Sequence, residues 1–192
     1  MSKLQHLWMK WQTMAWLVVG RREPALAVVQ RMLQRWPDDA YALSSRAHLL
    51  MQGGQRDAAL ADFARLTECH PGVAAHWFNH GFVLEEAGQP EAALASFRRA
   101  IEIDPQLDRA WYGMGLALIR LHRFDEAVAA LKRNTELQPM SPYGWYQLAR
   151  VHVDRQQPDE AVKIIRHLKG FEPKVAAQLE RETGLATGPA TS

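Results

Sequence analysis

Residues Ala100 to Pro105 read AIEIDP. Apolar Ala100, Ile101 and Ile103 among acids form the pattern of an amphipathic helix in its last turn. Pro105 then ends it, because proline lacks the amide hydrogen that a helix interior needs and pushes the preceding residue away from helical geometry. The same stop stands at Pro37, Pro71, Pro105, Pro139 and Pro173, each 34 residues after the last. One proline marks the end of one helix; five at a fixed interval mark a repeat architecture.

Other positions keep the interval. Ala25, Ala59, Ala93, Ala127 and Ala161 form an unbroken series, and Trp77, Trp111 and Trp145 a shorter one. Phe63 and Phe97 match Val29, Leu131 and Ile165, and small residues recur at Ala47, Gly81, Gly115 and Ala149, with Thr13 in the first unit. Within residues 108–141, Trp111, Met114, Gly115 and Leu118 lie on one helix face, and Phe124, Ala127, Val128 and Leu131 on a second after the break at RLHRF. Asp108 is expected to N-cap the first helix. Gly115 and Ala127 let two axes approach, and Trp111 and Leu131 are expected to fill the space between them. Truncating Trp111 to alanine would then cost about 3–5 kcal/mol. Such a helix–turn–helix cannot cover its own apolar face and must stack on its neighbours.

With Trp111, Met114–Gly115, Leu118, Ala127, Leu131 and Pro139 in one unit and Trp77, Gly81, Leu84, Ala93, Phe97 and Pro105 in the one before, the sequence resembles the tetratricopeptide repeat (TPR) family. The resemblance implies an all-α fold, a right-handed superhelical α-solenoid of five 34-residue helix-turn-helix repeats plus a C-terminal capping helix. The repeats run over 6–39, 40–73, 74–107, 108–141 and 142–175, with the cap at 174–183. Residues 1–183 are expected to form a single solenoid domain and 184–192 a disordered tail.

Composition narrows the function. With 47% hydrophobic and 23% charged residues among 192, the chain can bury a core. Its charges, +2 in sum, form no basic stripe, which argues against a nucleic-acid partner. The single cysteine, Cys69, permits no internal disulfide. The apolar run from Trp11 to Gly20 is too short to span a bilayer. A cytoplasmic protein is the reading that follows. The glycines form no phosphate loop. His76 and His80 have metal-ligand spacing, but Trp77 stands where a metalloprotease motif places glutamate, and Gln12 and Arg46 occupy the place of His80 in earlier units. A polar residue within helix packing is the simpler reading of His80. No enzyme, cofactor or metal is expected.

The resemblance further implies that the first helix of each unit lines a concave groove for a protein or peptide partner. At the groove-facing places stand Tyr41, His48, Phe78, Asn79, Phe82, Arg109, Tyr112, Leu116, Tyr143, Tyr146 and Arg150. Aromatics and arginine most often carry interface energy. Only Asn79 and Arg109 match the five-residue clamp with which chaperone-binding members hold a C-terminal carboxylate. The expected role is a scaffold or adaptor, co-chaperone-like in type. Because Trp8, Trp11, Trp16, Leu17 and Val18 make the first unit apolar where a terminal unit is ordinarily polar, self-assembly as a homo-oligomer is the alternative.

Overall fold

The computed structural model describes residues 2–186. Among these there are eleven helices and no strand: α1 (Ser2–Val18), α2 (Arg22–Arg35), α3 (Ala40–Gln52), α4 (Arg56–Cys69), α5 (Ala74–Glu86), α6 (Pro90–Ile103), α7 (Asp108–Arg120), α8 (Phe124–Leu137), α9 (Pro142–Asp154), α10 (Pro158–Lys169) and α11 (Pro173–Thr183). From α3 onward the first helix of each pair starts at 40, 74, 108 and 142, and the second helices start at 22, 56, 90, 124 and 158, all at the interval of the prolines.

Three local devices produce this regularity. Between the helices of a pair the chain passes through a left-handed residue: Gly20, Gly54 and Gly88 with φ of 73°, 75° and 73°, then His122 at 55° and Gln156 at 58°. Glycine adopts that conformation without a Cβ penalty, whereas histidine and glutamine must bear it. Inside each pair the periodic alanines are fully buried. In α7, a Cβ on Gly115 would lie 2.7 Å from Leu131 Cδ2, so glycine is what brings α7 and α8 together. After each second helix the proline follows the C-cap residue, namely Trp36, His70, Asp104 or Gln138. The carbonyls of Pro71, Pro105 and Pro139 accept the indole N–H of Trp77, Trp111 and Trp145, each at 2.9 Å. The periodic tryptophan and proline are therefore one joint, in which the carbonyl freed at the stop is taken by the next helix.

Three expectations change. Trp111 is only half-buried, and the space between α7 and α8 is filled by the fully buried Leu131. Asp108 is the first residue of α7 rather than its N-cap; Leu107 holds that place, and the Asp108 carbonyl accepts Asn134 Nδ2 at 2.9 Å. A true aspartate cap occurs at Asp39, whose side chain accepts the Ala42 amide at 2.8 Å. Pro173 does not follow a C-cap: it opens α11. The twelve-residue α10 ends at Gly170, two residues shorter than α8, so the chain turns early and proline serves as a first-turn residue, where its missing N–H is harmless.

The chain divides into two compact units, Met1–Ala87 and Gly88–Ser192, separated at the turn between α5 and α6. The first packs α1–α5 around Val29, Met32, Leu43, Phe63 and Leu66. The second buries Phe97, Leu118, Leu131, Ile165, Leu168 and Leu179. Gly184, at φ 70°, caps α11 in the left-handed conformation common at helix C-termini. Of the tail expected over 184–192, residues 187–192 lie outside the described part.

Candidate functional site

In the second unit, Tyr112 of α7 and Tyr143 and Tyr146 of α9 converge on one concavity of about 470 Å³. Each stands at a place that the family resemblance assigns to the partner-facing side of its helix, and each is held differently. Tyr112 is half-buried; burial pushes its phenol above the ordinary tyrosine range, against a smaller opposing effect of a hydrogen bond with Gln147. Tyr143 is 70% exposed and presents its ring to solvent. Tyr146 donates its hydroxyl to Glu182 Oε2 at 2.5 Å and accepts from Arg150 Nη1 at 3.5 Å, with the guanidinium 5.9 Å from its ring. The Glu182 carboxylate, as acceptor, raises the Tyr146 phenol, and Tyr146 in turn lowers the Glu182 carboxyl, with Gln178 adding to it. Both the Tyr112 and the Tyr146 phenol are thus pushed further from ionisation, and the three rings form an aromatic floor. Arg109 lines a smaller adjoining concavity of about 190 Å³ with Tyr112 and Tyr143, and Leu116 is half-buried on α7.

The far wall was missed from the sequence. Glu172, Val175 and Gln178, of α11 and the turn before it, line the same concavity, so the helix expected only to cap an apolar face also supplies polar groups to the site. The 34-residue interval fails there because α10 is short. Gln147 and Gln178, like the buried Leu148 and Leu179, repeat at 31 instead, and that spacing was the signal to follow.

The first unit brings together a different set. Tyr41, Ser44 and His48 line a concavity of about 510 Å³ with Leu17 and His76. Tyr41 is half-buried, with its hydroxyl 3.4 Å from the Lys10 carbonyl and the Lys10 ammonium 4.9 Å from its ring centre. His48 is exposed, with Nδ1 2.7 Å from the Ser44 carbonyl and its ring edge on Phe63 at 5.3 Å. On α5, Phe78 and Phe82 lie 6.4 Å apart, and Phe82 is 47% exposed; Asn79 beside them is half-buried.

Among the described residues, no three His, Cys, Asp or Glu side chains are placed to hold a metal ion. Burial holds both His76 and His80 below the ordinary histidine range. Partial burial, reinforced by Asp38, pushes the Cys69 thiol up, away from a reactive thiolate.

Two family profiles, both described as tetratricopeptide repeat, match residues 45–108 and 84–146 and jointly span more than half of the chain. The chain belongs to the tetratricopeptide repeat family. As a TPR protein it is a protein–protein interaction module. Solved structures agree on the fold, an all-α solenoid of helical repeats. A MamA protein is 19% identical with a TM-score of 0.80, covering 98% of this chain and 100% of its own. YrrB, described as a TPR protein with an unusual peptide-binding site, is 19% identical with a TM-score of 0.78 over 88% of each chain. MamA from Desulfovibrio magneticus RS-1, residue 41 to the end, is 21% identical at 0.78, over 91% of this chain and 94% of its own. No curated protein matches the sequence. Among the described residues no helix is long and apolar enough to cross a membrane.

Proposed function

We propose that this TPR protein is a non-enzymatic adaptor that binds an extended segment of a protein partner on the tyrosine floor formed by Tyr112, Tyr143 and Tyr146. The convergence of three tyrosines carries the reading: two are fixed by hydrogen bonds and the third is open to solvent. Pre-fixed rings lose little entropy when a ligand arrives. An apolar or aromatic side chain of the ligand would lie on the rings, while the carboxamides of Gln147 and Gln178 meet its main-chain groups. The peptide-binding site described for YrrB is in keeping with this. Phe78, Asn79 and Phe82 on α5, and Tyr41 with His48 on α3, are the corresponding contacts of the first unit. The poor match to the carboxylate clamp makes an adaptor the better reading than a co-chaperone. A continuous array over 1–183 and a cytoplasmic setting belong to the same proposal.

Peptides selected from a random displayed library on the whole chain, then titrated by calorimetry, test this. Tyr112→Ala/Tyr143→Ala should weaken selected peptides by about tenfold or more, with an unchanged circular dichroism spectrum. Equal affinity in the variant would move binding off the tyrosines. Self-assembly through the first unit, the alternative, draws on the exposed face of α1. The charge there favours another occupant, and self-assembly is one outcome of the experiment that follows.

A further inference from the structure

We infer that α1 is a surface-binding helix whose outer face lies in the headgroup region of an anionic lipid bilayer. α1 is apolar on two opposite sides. Met9 and Thr13, with half-buried Trp16, face the core of the first unit. On the other side Leu4, Leu7, Trp8, Trp11, Met14 and Val18 follow the spacing of one helical stripe, and all are exposed, Trp8 by 60% and Trp11 by 64%. A second apolar side on a helix ordinarily needs a cover of its own.

Three observations select the occupant. The first is steric. In α3, α7 and α9, the third place of the repeat is the side against which the preceding helix packs, and it holds Ala42, Ala110 and Gly144, all buried. Gly144 lies against Asn134, and at the sixth place of α7 a Cβ on Gly113 would lie 2.6 Å from the Phe97 ring of α6. In α1 the same two places hold Trp8 and Trp11, bulkier than any residue at those places in α3, α5, α7 or α9, the largest there being His76 and Gln147, so a helix would dock less closely than in the later pairs. The second is charge. Residues 1–37 carry six bases (Lys3, Lys10, Arg21, Arg22, Arg31 and Arg35) and a single acid, Glu23. Arg31 and Arg35 line a concavity of about 430 Å³ with Trp8 itself. The acids that follow are engaged: Asp38 pairs with Arg65 at 2.8 Å, and Asp39 holds His6 and the start of α3. A second copy would set this basic rim against its own like, whereas anionic headgroups complement it. The third is residue type. Tryptophan among leucine and valine, with basic residues around it and no acid on the helix, is the composition of helices that lie in the bilayer interface.

Flotation of the whole chain with phosphatidylcholine vesicles, alone or mixed with phosphatidylglycerol, tests the assignment. The chain should float with the mixed vesicles and stay behind with the neutral ones, and added salt should release it. Trp8→Ser/Trp11→Ser should abolish flotation. Arg31→Gln/Arg35→Gln, which leaves the apolar stripe intact, should lower it by roughly tenfold. Tyr112→Ala/Tyr143→Ala should float like wild type, which separates this result from the peptide reading. Failure to float with either vesicle, or equal flotation of the tryptophan variant, overturns the assignment. So does a lipid-free doubling of mass in light scattering that the tryptophan variant loses, which would make a second copy the occupant. Equally tight binding to soluble polyglutamate would make it an acidic peptide.

Discussion

Where α3 meets α4, the seventh place of the repeat holds Arg46, facing Asp62; where α7 meets α8, the same two places hold Met114 and Ala130. The joints have one geometry and opposite chemistry. Arg46 donates Nε to Asp62 Oδ2 at 2.7 Å and Nη2 to Oδ1 at 2.5 Å, a bidentate pair whose acid is only 6% exposed. The α7–α8 joint has no such pair and is closed by contact, with Gly115 under Leu131. The scaffold thus accepts an ion pair in a core place, provided both partners are present, because a buried charge left alone is strongly unfavourable. The apolar joint depends instead on volume.

The largest effect is expected at the fully buried leucine that fills the apolar joint. Leu131→Ala should destabilise the second unit by about 3–5 kcal/mol. Trp111→Ala, half-exposed at the same joint, should cost about 2 kcal/mol, below the sequence expectation. Denaturant titration ranks the two, and a larger loss at Trp111 would restore the tryptophan as the filler. Next comes the polar joint. Arg46→Ala should cost about 2–3 kcal/mol, less than a wholly buried pair because the arginine is 30% exposed. Arg46→Leu with Asp62→Ala should return to within about 1 kcal/mol of wild type, since a well-packed apolar pair can replace an ionic one. Amide exchange in α3 and α4 resolves the effect locally. A double variant as weak as the single one would show that the pair sets the geometry as well as filling the place.

The fold was legible because the features that repeat are those the geometry cannot do without: the buried alanines, and the prolines whose carbonyls take the tryptophan N–H groups. It ceased to be legible where one helix changed length. Gly170 ends α10 early, Pro173 becomes the start of a helix, and the contacts of α11 with the tyrosines fall out of register. The left-handed turns were half legible. Gly20, Gly54 and Gly88 announce them, but nothing in His122 or Gln156 shows that these residues take the same conformation. Of the candidate site, Tyr112, Tyr143 and Tyr146 could be read from their places on α7 and α9. Glu182 could not, because its bond to Tyr146 exists only after the shortened turn brings α11 against α9.

His80 is a third occupant of the seventh place and adds pH to the comparison. Burial holds its imidazole below the ordinary histidine range, as it does for His76, where the neighbouring His70, with ring centres 5.8 Å apart, lowers it further. The unfolded chain therefore takes up protons on these two residues at a higher pH than the folded one does. Their neutral forms contribute fully above the ordinary histidine pKa of about 6.5, and stability falls as pH drops through and below it. Urea midpoints of the wild type should decline between about pH 7 and pH 5, before the carboxylates titrate near 4. His80→Leu, which gives the place the residue that Leu148 already provides, should flatten that decline, leaving the smaller share due to His76. An unchanged slope in His80→Leu would mean that protonation at this place is accommodated as readily in the folded chain as in water. The seventh place would then accept a charge on His80 as it does on Arg46.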